Sequence, residues 1–394
     1  MRRRLLVLTG AIVSAAIGEP GAKGTPAVYE LPPIGYSHAT PHDAVARLLS
    51  RIAAREVKLS GSDPDILRGV LRELQVPVAS QMLVFSRTSL QAGLIRPDNP
   101  RALYFNDSVY VGWVPGGLIE AVAVDPQLGP IFYAFDPQDA RDARRSFVRE
   151  KSCLRCHGGT FSPDIPGLFE RSVLATDEED PAAGENAELV DDATPFERRW
   201  GGWYVTGYQG IQSDRGVELP NRIAPGKYLT TTSDVVALLI FQHQLAMHNS
   251  LTRAAQTYRR VLGQTGANQV WDRSAEDVVD HLLFRGAAPL PAGIVGAEPF
   301  RSAFAAGAVR YAQGDALKDL SLHGRLFANR CSFLIYSESF AALAEPLKDR
   351  IFARLAAALH DGAPQSRYAY LEPDEKRRIA KVLNATLPAA GRRF

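Results

Sequence analysis

The chain has 394 residues, 46% of them hydrophobic and 22% charged, and its 45 Lys and Arg against 43 Asp and Glu leave a formal net charge of +2. That composition excludes extended disorder and collagen-like repeats, and a count of three cysteines excludes a disulfide-dense scaffold. With neither a basic block nor an acidic tail, nucleic acid and anionic membrane surfaces are not expected partners.

Met1 to Arg4 form a basic head before the apolar run Leu5 to Ala16, and small residues at Ser14, Ala16 and Gly18 supply cleavage positions. Residues 1–18 therefore predict a cleaved signal peptide and a periplasmic or otherwise exported product. No later stretch reaches the ~18 apolar residues of a membrane span.

Residues 19–76 are expected to be an irregular and helical lead-in, with helical spacing at Val45, Leu48, Leu49 and Ile52. Residues 77–226 change character. Runs from Gln81 to Phe85, Ala102 to Tyr104, Val109 to Val114, Ile119 to Val124 and Ile131 to Phe135 alternate and are broken by Asn106-Asp107, Pro115-Gly116-Gly117, Asp125-Pro126 and Gly129-Pro130. This predicts an antiparallel meander. Phe161 to Phe196 reads as a long loop, and Gly202 to Tyr208 as one more strand. Residues 227–394 read as helical, with a helix from Val235 to about Leu262 behind the cap pair Ser233-Asp234, and others at 274–284, 300–313, 339–360 and 374–385. The expected fold class is α+β, with a β-rich centre and a helical C-terminal half.

The chemistry is concentrated at Cys153-Leu154-Arg155-Cys156-His157, a CxxCH sequence with the spacing of c-type haem attachment. Two thiols at this spacing can each add to one vinyl group of a porphyrin, and the adjoining His is placed to ligate the iron. Other chemistries can use the same residues. A structural zinc site needs a fourth ligand, and the remaining cysteine, Cys331, is distant in sequence without a second cluster around it. A dithiol redox pair needs CxxC after a strand, at a helix N-terminus, whereas residues 138–150 are charged and helix-like. A disulfide across two residues closes too small a loop to add much stability.

The second axial position has candidates on the 235–262 helix: His243, Met247 and His248. At 100° per residue Met247 lies about 40° from His243 and His248 about 140° from it. The apolar stripe containing Val236, Ile240, Leu251, Ala254, Tyr258 and Val261 places His243 and Met247 inward and His248 at its edge. His243 or Met247 is therefore the expected distal ligand, with His38 and His42 as a weaker source. Arg149, Lys151, Arg155 and Arg171 bracket the motif as candidate propionate partners. Trp200 and Trp203, around Gly201-Gly202, are candidate pocket walls. Asn106, Asp107, Tyr110 and Trp113 are open in the same way between pocket wall and ordinary core packing, and Cys331 reads as an inert core thiol.

At Cys153 to His157 the chain resembles c-type cytochromes. The central position of the motif and the late first downstream methionine, Met247, depart from the small cytochrome c pattern. Over most of its length, including Leu103 to Trp113 and Arg198 to Gly207, it looks like a group of exported bacterial monohaem proteins without an assigned reaction. That resemblance implies one covalently attached haem c and an exported location. Two functions follow as expectations. The first is a one-electron carrier serving a redox partner protein or a small oxidant or reductant. The second is a peroxidase-like or oxidase-like haem enzyme with an open sixth iron position.

Overall fold

The computed structural model describes residues 26–138, 147–159, 161–162, 164–173, 187–210, 223–224, 226–311, 314–360, 362, 366–387 and 394. The expected leader, 1–18, lies outside these residues. The fold is α+β, and at its centre stand six strands: β1 (Met82–Val84), β2 (Arg101–Phe105), β3 (Val109–Trp113), β4 (Ile119–Asp125), β5 (Gly129–Phe135) and β6 (Val148–Arg149). They lie in chain order, each antiparallel to the next, which is the meander that the alternating runs predict. Asn106 makes the β2–β3 turn by accepting from the backbone N–H groups of Ser108 at 3.0 Å and Val109 at 2.8 Å.

The two-residue period of a strand sends alternate side chains into two separate cores. Ala102, Tyr104, Val109, Val111, Ala121 and Tyr133 face one, while Leu103, Phe105, Tyr110, Val124 and Phe132 face the other. The first core is closed by the lead-in, including α1 (Ala44–Ala53) and α2 (Asp63–Glu73). Asp43 joins the two layers: it caps α1 by accepting from Val45 and Ala46 and accepts the Tyr133 hydroxyl at 2.6 Å.

A single helical turn, α3 (Leu154–His157), follows the sheet, and the segment expected to be a loop then holds a hairpin of β7 (Glu170–Val173) and β8 (Ala187–Val190). Short, polar strands of this kind carry little alternation to read. Residues 202–208 form isolated bridges instead of the expected strand. The second core is dominated by α4 (Val235–Arg260), capped by Asp234 as its sequence predicts. Around it pack α5 (Ala267–Leu282), α6 (Glu298–Ala306), α7 (Glu338–Ala341), α8 (Glu345–His360) and α9 (Pro373–Thr386). Compared with expectation, α5 begins earlier, directly after Gly266, α6 stops before Gly307, and the 339–360 segment divides ahead of Pro346. Among the described residues no helix is long and apolar enough to cross a membrane.

Candidate functional site

The second face of the sheet does not pack completely. Between it, α3 and α4 lies a cavity of about 390 Å³, within the ~300–1,000 Å³ of small-molecule sites. Its floor is the sheet itself: Leu103, Tyr110, Val122 and Phe132 supply apolar surface, and Arg101 pairs with Glu120 across it. The pair passes over Gly112, where a Cβ would lie 2.4 Å from Arg101 Nη2, so glycine is what leaves room for the guanidinium. Trp203 and, from α4, Phe241 and Leu245 form further wall.

Cys153, Cys156 and His157 all line this cavity. Cys153 ends a 3-10 turn, Lys151–Cys153, and directly precedes α3, which carries Cys156; residues three apart along such turns share one face, and Cys156 is exposed and Cys153 half-buried. Glu150 fixes the start of the 3-10 turn by accepting from the Ser152 N–H at 2.8 Å. Gly158 fixes the end of α3, because a Cβ there would meet the Tyr29 hydroxyl at 2.1 Å.

His157 is held more tightly than its neighbours. Its backbone carbonyl accepts from Gly167 N–H at 2.7 Å, and its Nδ1 lies 2.8 Å from the Gly167 carbonyl. Only an Nδ1–H can donate to a carbonyl, so in the neutral ring Nε2 carries a free lone pair. Burial pushes its pKa down to about 4, which keeps that ring neutral at neutral pH. Phe169, stacked at 4.4 Å, and Phe132, at 4.6 Å, fix the ring plane. Behind this, Asn249 of α4 clamps Leu168 through both of its backbone groups, at 2.8 and 2.6 Å. An oriented imidazole with a bare Nε2, its other nitrogen on a carbonyl, is a metal-ligating arrangement. Together with two adjacent thiols and an apolar floor, it can hold a covalently attached porphyrin.

In the stretch expected to be helix-like, Val148–Arg149 is strand β6, so a strand does precede the two thiols; their competing uses nevertheless fit less well. Burial, reinforced by Glu120 and Glu150, pushes Cys153 up to about 12, whereas exchange-active thiols are lowered. Cys331 is fully buried and does not line the cavity, and no group of three or more His, Cys, Asp or Glu among the described residues converges as a metal site.

The distal expectation is corrected. Of the eight histidines, His157 alone lines the cavity, and neither Met82 nor Met247 does. The rings of His243 and the side chain of Met247 are buried in the helical core on another side of α4. His243 has both nitrogens engaged, Nδ1 with Asp192 Oδ2 at 2.8 Å and Nε2 with Ser332 Oγ at 2.7 Å. His248 is buried as well: it donates from Nε2 to the Asp107 carbonyl at 3.0 Å, and its Nδ1 has no partner among the described residues. The stripe argument fails because α4 is buried on every side, so no single apolar face marks the direction of the cavity. His38 and His42 are exposed on the lead-in.

The flanking residues separate. Arg155 and Arg171 line the cavity, whereas Arg149 bonds the carbonyls of Tyr36 and Ala39, and Lys151 is exposed and does not line the cavity. Trp203 is a cavity wall whose Nε1 donates to the Arg171 carbonyl at 3.1 Å. Trp200 is not: it is buried against Phe196, at a backbone φ of +65°. Asn106 and Asp107 dock the sheet on α4 through Gln244 and His248, and Trp113 faces the opposite core.

Asp192, His243 and Ser332 follow the bonding order of an acyl-transfer triad. Ser332, however, is fully buried, accepts from the Leu334 N–H and lines neither this cavity nor the second one described below, so the arrangement is structural. Residues with no sequence signal also contribute to the site: Arg101, Glu120, Asn249 and Glu170. Comparison with protein-family models, curated proteins and solved structures gives no match.

Proposed function

We propose that this chain is an exported monohaem c-type protein in which Cys153 and Cys156 hold the porphyrin by thioethers and His157 supplies the one protein ligand to iron. The observation that carries the reading is the convergence of both thiols and a bare His157 Nε2 on a single apolar cavity that no other His or Met lines. Haem c supplies one-electron redox chemistry and, where a coordination position is open, binding of small oxidants. The chain's own residues favour the open form. His157 is locked by Gly167, Phe132 and Phe169, and among the described residues the cavity wall carries no second His and no Met. A peroxidase-like or oxidase-like function with a small ligand is thus better supported than a closed carrier. Exposure of Cys156 and Arg155 brings one edge of the site near the surface, where a redox partner can exchange electrons.

The test is an absorption spectrum of matured holoprotein, oxidised, then reduced, then exposed to carbon monoxide. A Soret band that shifts with carbon monoxide is expected, and the variant lacking both thiols releases its haem to acid-acetone. A reduced low-spin spectrum indifferent to carbon monoxide would refute the open position. Properly matured protein without a Soret band would refute haem altogether.

A further inference from the structure

Among the described residues, Glu170 is the one cavity-lining carboxylate without a cationic partner in contact. It opens β7 and is buried, and its Oε1 accepts from Gln242 Nε2 of α4 at 2.8 Å. Its Oε2 has no hydrogen-bond partner among the described residues. Gln242 is itself fixed, since its Oε1 accepts from Arg199 Nη1 at 2.9 Å and Arg199 Nη2 donates to the Asp192 carbonyl at 3.0 Å. Asp192 and Arg199 line a second cavity, of about 450 Å³. A buried polar chain therefore runs from the wall of the first cavity, past α4, to the second.

The surroundings of Glu170 single it out. Towards the core it faces the neutral Gln242 and, beyond it, Arg199, which is held in turn by Asp192. On the cavity side stand the mutually paired Arg101 and Glu120, the cations Arg155 and Arg171, and Cys153, Cys156 and His157, which the proposed attachment uses. Burial drives the phenols of Tyr110 and Tyr133 well above their ordinary range, so neither ionises near neutrality. Burial also pushes the Glu170 carboxyl up to about 8, against a smaller pull from Gln242 and Arg199. An added negative charge in so apolar a site is costly unless a positive one accompanies it.

Resting on the haem reading above, we propose that Glu170 takes up a proton when the site is reduced and releases it on reoxidation. In the balanced step, at pH values where the positive charge of the ferric site leaves Glu170 ionised, a one-electron donor gives one electron to the ferric iron, and solvent gives one proton to the Glu170 carboxylate. No bond to substrate forms, and the net charge of the cavity is unchanged.

The experiment is a spectroelectrochemical titration of the full holoprotein from about pH 5 to pH 9, for the natural chain, Glu170→Gln and Glu170→Asp. The midpoint potential of the natural chain is expected to be flat where Glu170 is protonated in both oxidation states and to fall with pH above that, towards about 59 mV per tenfold change in proton activity for a one-electron couple. Glu170→Gln, which keeps an acceptor for Gln242, is expected to be flat, and Glu170→Asp to retain a slope. Reduced-minus-oxidised infrared spectra should carry a carboxylic acid band in the natural chain that Glu170→Gln lacks. An equal slope in Glu170→Gln, or a flat profile in the natural chain, would overturn the proposal while leaving haem attachment intact. Lack of a Soret band would instead overturn the haem reading, and is seen before any potential is measured.

Discussion

Holding Glu170 protonated has a thermodynamic signature that does not depend on electron transfer. In the unfolded chain its carboxyl ionises near its ordinary value of 4.5, and in the folded chain burial defers this to about 8. Between those values the native state binds more protons than the unfolded state, so stability falls as pH rises. The penalty is absent below about pH 4.5, grows at about 1.4 kcal/mol per pH unit and is complete above about pH 8. Replacing Glu170 with Gln removes it while keeping the acceptor for Gln242. The variant should therefore match the natural chain near pH 5 and gain on it by about 3 kcal/mol by about pH 7.5. That is a large share of the ~5–15 kcal/mol by which domains are stable. Denaturant unfolding of both proteins across this range measures the difference, in which all other titrations cancel. A difference constant with pH, or one that shrinks as pH rises, would refute the reasoning.

Other substitutions probe the supports of the site. His248, held near 4 by burial against an ordinary 6.5, makes the native state the poorer proton binder, so stability is lost as pH falls from 6.5 towards 4; in unfolding titrations His248→Gln should have the shallower acid limb, by about 3 kcal/mol at its foot. Gly112→Val drives a side chain into the Arg101 guanidinium, and a loss of ~1–3 kcal/mol with reduced haem content is expected from melting and pyridine haemochrome assays. Asn249→Leu leaves both backbone groups of Leu168 unpaired, a loss of ~1–3 kcal/mol that should also broaden the electron paramagnetic resonance signal of the oxidised iron. His243→Ala should leave the Soret band unchanged but destabilise the chain by a few kcal/mol, since it orphans Asp192 and Ser332; a spin-state change would return His243 to the iron.

The sheet was legible because alternation and turn residues in one contiguous stretch carry both its strands and its order. Asn106-Asp107 identifies a hairpin from two adjacent residues, and the Asp234 cap marks the start of α4 in the same local way. The motif Cys153 to His157 was legible because it is contiguous, carried by two successive short turns. The rest depends on contacts between residues distant in the chain. Whether His243 or His248 approaches the cavity is decided by how α4 is rotated against the sheet, and a helix buried all round encodes no rotation in its apolar pattern. Trp200 and Trp203 look equivalent in sequence, yet Trp203 lines the cavity while Trp200, at positive φ, packs against Phe196. Glu170 had no signal at all, being an ordinary acidic residue in a polar segment whose burial is imposed by α4.

The isolated bridge at Trp203 also bears on how copies of this protein avoid one another. A short edge strand exposes unpaired N–H and C=O groups that another chain can extend into an aggregate. Along β1 that template is occupied: the Phe85 N–H donates to Gly202, the Tyr204 N–H donates to Leu83, and the Leu83 N–H donates to Ser233 Oγ. At the other edge β6 offers only two residues. The segment that holds Trp203 at the cavity wall therefore also seals the sheet, and loosening it would uncover that edge along with the pocket.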